Sequence, residues 1–440
     1  MKARDFFADL LRRRAGGQTA GIYSVCSANP IVLEAAMDHA RDEGGPLLIE
    51  ATSNQVNQYG GYTGMKPADF VAFVHQIAER SGFDGEKLIL GGDHLGPLIW
   101  KSMPEAEAMP RAEEQVASFV EAGFAKIHLD TSMRLGDDAG KTLSDAVIAS
   151  RGARLCAAAE KAFAAVSAKT PDASPPVYVI GSEVPTPGGA TDDAGDADTL
   201  EPTFPEAFLA SYGAFTKAFE EAGLADACSR IVAFVVQPGV EFNGEAIFDY
   251  DREAASALCA SLGKVERPLM FEGHSADYQL SESLRRMVED GIGILKVGPG
   301  LTFALREGLF ALEHIERELL GGGSAELSDF ANAFEDVMKR DDSNWKNHYH
   351  GDKRSLKLQR RYSFFDRARY YLPTPEIERS VVTLICNLEK TGVSLPLLSQ
   401  YLPRSYAKVR RGLLDVSPKA LLKDCVRNAL ADYSSACRGR

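Results

Sequence analysis

Polar side chains gather at the ends of short apolar runs through the first 300 residues of this chain. KLILGGDHLG (87–96) ends in Asp93 and His94, AKIHLDTSM (125–133) carries His128, Asp130 and Ser132, and RPLMFEGHSADY (267–278) carries Glu272 and His274. PLLIEATSNQ (46–55) adds Glu50, Thr52, Ser53 and Asn54, PVYVIGSEVP (176–185) adds Glu183, and RIVAFVVQPG (230–239) ends near Gln237. Side chains two apart on a strand share a face. His128 with Asp130, and Glu272 with His274, therefore point together. Charged groups at successive inward positions are costly unless they are paired or bind something. Imidazole beside carboxylate suits a divalent metal, zinc first, with manganese or cobalt as alternatives. His94, Glu183 and His274, from three separate runs, are the expected ligands. Asp130 or Glu272 is then left for proton transfer or for orienting a ligand, and Asn54, His128 and Gln237 for contacts to substrate. The competing reading is a metal-free site in which these groups hydrogen-bond one another.

GIGILKVGPGLT (291–302) presents Lys296 on the same face as Ile294. A desolvated lysine there can form a Schiff base with a ketose, or it can serve as the ionic partner of Glu272 or of a substrate phosphate, which is the preferred reading. Cys26, ending TAGIYSVCSA (19–28), reads as a small buried thiol rather than a nucleophile. Gly298 and Gly300 let a backbone approach an anion, Thr302 can cap the helix that follows, and Arg306 can add a charge-assisted contact. An ordinary Gly/Pro turn is the rival explanation. His348 and His350 lack a clear third ligand. Arg360, Arg361, Arg367 and Arg369 read as a solvated or inter-domain face, or more sharply as a cover that screens a phosphate.

Eight such runs alternate with longer segments of helical spacing, among them PADFVAFVHQIAERSG and MPRAEEQVASFVEAG. Each run begins apolar, as a strand buried on both faces should. Strand then helix, eight times over, is the pattern of a closed parallel (β/α)8 TIM barrel, in which catalytic groups sit at the C-terminal ends of the strands. An open doubly wound sheet would normally carry a glycine-rich phosphate fingerprint after its first strand, and none is there. The Gly/Asp/Pro-rich stretch 185–202 predicts a mobile cover or surface excursion. GGGS at 321–324 is the clearest linker, dividing a barrel (1–320) from a helical C-terminal domain (321–440).

The 440 residues, 45% hydrophobic and 25% charged, suit a large barrel with an appendage. No apolar run approaches the ~18 residues a membrane helix needs. The odd count of seven cysteines, without a C-x-x-C pair, argues for free thiols and a cytoplasmic setting. The net charge of −13 is uneven: from Gly321 onward 21 Lys+Arg face 14 Asp+Glu, leaving 28 bases against 48 acids before it. An acidic body suits neither nucleic acid nor an anionic membrane. The basic tail is expected to dock on that body or to meet an anionic ligand.

IEATSNQVNQYGGYTGM, GGDHLGP, KIHLD, GSEVPTPGG, VVQPGVEF, EGHSADYQ, LKVGPGLTFALRE and SQYLP together resemble the Z-type (GatZ/KbaZ-like) subunit family of D-tagatose-1,6-bisphosphate aldolase, across essentially the whole chain. The resemblance implies an aldolase-type barrel acting on galactitol-derived or related ketoses. It implies a companion role beside a separate class II, zinc-dependent catalytic subunit. Some relatives act alone as metal-dependent ketose or ketose-phosphate 4-epimerases. Others carry the label tagatose-6-phosphate kinase, yet no G-x-x-x-x-G-K-[ST] occurs in this chain. Carried over from the class II pattern, His94 binds zinc, Asp93 handles the proton and His274 is a further ligand. Strand six departs from that pattern, with Gln237 where a histidine ligand would stand. Three readings follow: an aldolase subunit that binds metal and sugar phosphate, a self-sufficient 4-epimerase, or a non-catalytic stabilising subunit.

Overall fold

The computed structural model describes residues 2–140, 142–181 and 200–439. All eight predicted strands are present: β1 (Ile22–Val25), β2 (Leu47–Thr52), β3 (Leu88–Leu95), β4 (Lys126–Leu129), β5 (Val177–Gly181), β6 (Ile231–Val236), β7 (Met270–Gly273) and β8 (Ile292–Val297). They pair in parallel and close on themselves, β1 meeting both β2 and β8. The chain is thus a (β/α)8 barrel, with a helix after each strand. Most of the predicted runs overshoot at their polar ends, because the residues that carry chemistry leave the ladder and enter the mouth loops. Of the stretch 185–202, only residues 200–202 fall within the described residues.

Inside the barrel, two layers differ sharply. Ile22, Leu48, Val179, Met270 and Ile294 form an apolar lower layer, and the N-terminal helix Ala3–Ala15 plugs it from below with Ala3, Phe7 and Leu10. Two residues further along the same strands the inward positions become Ser24, Glu50, Glu272 and Lys296, joined by Lys126 and His128. The strand period of two carries each chain from one layer to the next. With the bottom sealed by apolar packing, a polar ligand can enter only at the C-terminal mouth.

Beyond residue 320 the chain is helical. Helix Pro418–Cys437 packs against helices Pro30–Glu43, Ser281–Glu289 and Pro299–Leu320. Its Leu421, Leu422, Val426 and Leu430 share a buried apolar cluster with barrel residues such as Val25 and Leu305. Across that seam, Lys419 pairs with Glu34, Lys423 with Asp38, and Arg427 with Asp42. The basic tail lies on the acidic body. Among the described residues, no helix is long and apolar enough to cross a membrane.

Candidate active site at the barrel mouth

Glu50 is the centre of the charged layer. Its carboxylate accepts from Ser24 at 2.7 Å and from Lys126 Nζ at 2.5 Å, and it also pairs with Lys296. Lys126 reaches Glu272 at 2.7 Å, while Lys296 Nζ lies 3.0 Å from Asp93 and 3.6 Å from Glu272. Gly91 makes this layer fit, since a Cβ there would lie 2.3 Å from Glu50 Oε1. Burial by itself pushes carboxyl groups up and ammonium groups down. Here the opposite charges win: Lys296 and His94 hold Asp93 well below the usual carboxylate range, and Lys126 and Lys296 do the same for Glu272. Lys126 and Lys296 are raised in return. These shifts favour the ionised forms of Asp93 and Glu272 and the ammonium form of Lys296.

Above it stand three imidazoles. The ring centroids of His94, His128 and His274 are 4.7–5.5 Å apart. His94 has a left-handed backbone (φ 47°) that ends the regular β3–β4 register. Such a conformation is strained in a residue with a side chain and is common at functional sites. It turns the His94 ring so that Nδ1 lies 2.8 Å from Asp130, whose other oxygen accepts from Ser132 at 2.8 Å. His274 Nε2 lies 3.1 Å from Glu272. Burial pushes His274 down to about 4, whereas Asp93 and Asp130 overcome burial and raise His94. His274 is therefore neutral at pH 7, as a ligand must be.

His128 brings a third imidazole to the cluster from the end of β4. Its Nε2 is 2.9 Å from the Gly181 carbonyl, an acceptor only, so that nitrogen carries the proton. In the neutral ring, Nδ1 is then a lone pair, and it lies 3.0 Å from Asp93 Oδ1. The His94 backbone N–H also donates to that Nδ1, at 3.2 Å, so His128 ties His94 and Asp93 together. Asp93, His94, His128 and His274 each offer a ligand atom, all within 4.8 Å of one another. The donor set fits a borderline metal such as zinc.

His94 and His274 come together, His128 joins them from its expected place beside the substrate, and Glu183 lies outside the described residues. Gln237 is buried, and its Oε1 accepts from the Gly239 and Val240 amides. Through that oxygen it shapes the turn after β6, while its Nε2 is a buried donor without a partner among the described residues. Asn54 is exposed on the rim of a cleft of about 600 Å³ that also reaches Cys26, His94, His274 and Lys296. Cys26 is pushed up to about 12 by burial, so it is an unreactive thiol.

The expected phosphate cradle is already filled. The Gly298 and Gly300 amides donate to Asp277 Oδ1 at 2.9 and 2.7 Å. Thr302 donates to Asp366, and Arg306 pairs with Asp366 at 3.3 Å while donating to the Arg361 carbonyl. These two residues fasten the tail to the helix after β8. The four arginines of the tail separate. Arg360 is buried on Glu335 and Arg361 donates to the Ala331 carbonyl, while Arg367 and Arg369 line the cleft with His348, Phe365 and Tyr370. His350 is exposed and belongs to no metal-capable group among the described residues.

Lys126 and Asp277 escaped the sequence reading. Lys126 had a signal, the parity 126/128/130 on one strand. Asp277 had none, because it sits in a loop where period two does not apply.

Residues 7–438 match the family model described as D-tagatose-1,6-bisphosphate aldolase subunit GatZ/KbaZ-like. A crystal structure from Sinorhizobium meliloti 1021, described as "a probable tagatose 6 phosphate kinase", is 46% identical, with 95% of this chain and 100% of that one covered at a TM-score of 0.86. A fructose-bisphosphate aldolase from Campylobacter jejuni is 13% identical, covering 89% and 93% of the two chains at a TM-score of 0.44, a similarity that transfers no chemistry. This chain belongs to the GatZ/KbaZ-like family of D-tagatose-1,6-bisphosphate aldolase subunits.

Proposed function

We propose that this aldolase-subunit relative binds a divalent metal, zinc first, and a ketose or ketose phosphate at its own barrel mouth. The carrying observation is the cluster of Asp93, His94, His128 and His274, whose ligand atoms all lie within 4.8 Å of one another. His94, His128 and His274 would hold the ion, with Asp93 beside them. When bound, the ion supplies Lewis-acid polarisation of a substrate carbonyl. The remaining chemistry belongs to the chain. Asp93, kept ionised by Lys296, accepts a proton from the hydroxyl next to the bond to be broken and returns it. Asp130 holds His94, and Glu272 holds His274, in fixed orientations. Asn54 and Lys296 offer hydrogen bonds to substrate oxygens from opposite depths of the cleft.

Retro-aldol cleavage fits this set, and so does 4-epimerisation by cleavage and re-closure on the other face. One observation favours activity of the chain by itself over a purely stabilising role: its own tail completes the cleft, through Phe365, Arg367 and Tyr370. The test is metal analysis of the purified chain, followed by NMR assay on tagatose, fructose and their phosphates, with and without a class II aldolase catalytic subunit. His94→Ala and His128→Ala should each abolish tight metal binding. Unchanged metal content in both variants would remove the imidazole cluster from the site, and no turnover without the partner would leave the companion role.

A further inference from the structure

The tail turn Arg367–Tyr370 brings to the mouth a charge opposite to that of the carboxylates below. Arg306 and Arg360 are paired with Asp366 and Glu335. Arg367 and Arg369, among the described residues, have no carboxylate partner. Both guanidinium groups lie over the Tyr370 ring, 4.7 and 4.6 Å from its centroid, and Tyr62 braces that ring edge-on at 4.9 Å. Backbone carbonyls anchor each of them: Arg367 Nε donates to Asn344 at 2.6 Å, and Arg369 Nη1 to Phe365 at 2.6 Å and Asp366 at 3.0 Å. Anchored so, the two forks are held in place before any ligand arrives. Their positive field is visible at His348, pushed down to about 4 by burial and then by Arg367 and Arg369.

Resting on the reading of the cleft as a ketose-phosphate site, we propose that Arg367 and Arg369 bind the substrate phosphate, at the end of the sugar away from the His94–His128–His274 cluster. A planar guanidinium matches phosphate oxygens in pairs. On the floor, Lys126 and Lys296 are taken up by Glu50, Asp93 and Glu272. The two guanidinium groups at the mouth have no carboxylate partner among the described residues, which places the phosphate end of the substrate at the mouth. The turn after β8, where these barrels often hold phosphate, is closed to it by Asp277. The tail then decides substrate class: phosphorylated ketoses over free ones.

Titration calorimetry on the full chain tests this, with fructose 6-phosphate, fructose and inorganic phosphate as probes. In the unaltered protein, inorganic phosphate should compete with fructose 6-phosphate and leave fructose binding alone. Arg367→Gln and Arg369→Gln should each weaken fructose 6-phosphate about ten- to a hundred-fold with fructose unchanged. Arg367→Lys, which keeps the charge, should lose less. Circular dichroism guards against misfolding, and the competition result stands without any variant. His94→Ala should lose metal and fructose binding yet keep inorganic phosphate, which separates failure of the metal site from failure of this one. Phosphate binding that disappears with the metal, equal losses for both sugars, or no competition would each overturn the assignment.

Discussion

Ion pairs build both the barrel floor and the seam under the tail helix, and the two sets work in opposite ways. On the floor, Lys126 and Lys296 meet Glu50, Glu272 and Asp93 with almost no access to water. Along the seam, Lys419, Lys423 and Arg427 of helix Pro418–Cys437 meet Glu34, Asp38 and Asp42 of helix Pro30–Glu43, half in solvent. Buried pairs cost several kcal/mol per ion to desolvate and repay it only through near-complete mutual contact. Exposed pairs cost little and contribute about 0–1 kcal/mol. A layer of five buried charges is therefore a poor way to stabilise a barrel but a good way to fix ionised groups under a reaction centre. The seam steers docking and leaves the binding energy to apolar contacts.

If that is right, cutting at Gly321 should be the most damaging change. Leu421, Leu422, Val426, Leu430 and Tyr433 are buried on the barrel side of the seam. At about 1.5–3 kcal/mol each, they rival the 5–15 kcal/mol that holds a typical domain. The truncated chain should lose cooperative unfolding by calorimetry. A sharp transition in residues 1–320 would instead make the tail a separable domain held by its charges.

Next in size is Lys126→Met. It leaves Glu50 and Glu272 buried against a single ammonium, and breaking one partner of a buried pair costs about 3–5 kcal/mol. Chemical denaturation measures the loss. A cost below about 1 kcal/mol would place the floor in the same class as the seam.

Asp277→Asn sharpens the contrast through pH. Burial raises Asp277 from 3.8 to about 6 against the pull of the Gly298 and Gly300 amides. A carboxyl raised on folding favours its neutral form in the native state. Its contribution is complete below pH 3.8 and is lost as pH rises through about 6. The difference corresponds to roughly 3 kcal/mol. Asparagine keeps an oxygen for both amides and carries no charge. The variant should gain stability over the native chain above pH 6 and match it near pH 4. Equal melting profiles across pH 4–8 would mean that Asp277 is not strained by burial.

How far the sequence was legible follows the same division. Strand runs, their inward parity and the Asp93–His94, His128–Asp130 and Glu272–His274 pairs are local patterns, and local patterns survive folding. Lys126 hid at the start of an apolar run, although parity with His128 placed it inward. What no local pattern holds is which donors meet which acceptors. The Gly298 and Gly300 amides look free in sequence, yet an aspartate 21 and 23 residues earlier takes them, and Arg306 spends its charge on Asp366. Arg360, Arg361, Arg367 and Arg369 look alike as a basic cluster. Only the tail's path over the mouth separates the two paired inside from the two at the cleft.

The smallest effect should come from the seam itself, at Lys423. Its ammonium lies 2.6 Å from Asp38, with the side chains 25% and 10% exposed, making it the most sheltered of the three pairs. Asp38 also holds Arg41 at 2.9 Å, so Lys423→Ala leaves no unpaired carboxylate. The expected loss is under about 1 kcal/mol. It should shrink further in 1 M salt, where screening acts within about 3 Å. The triple variant Lys419→Ala, Lys423→Ala, Arg427→Ala should show losses that nearly add, since each pair stands a helical turn from the next and has its own partner. Folding rate should fall more than stability if these charges guide docking, because long-range attraction acts before the apolar faces meet. A loss above about 2 kcal/mol for Lys423→Ala alone, insensitive to salt, would mean that the seam is as buried in effect as the floor, and the comparison would collapse.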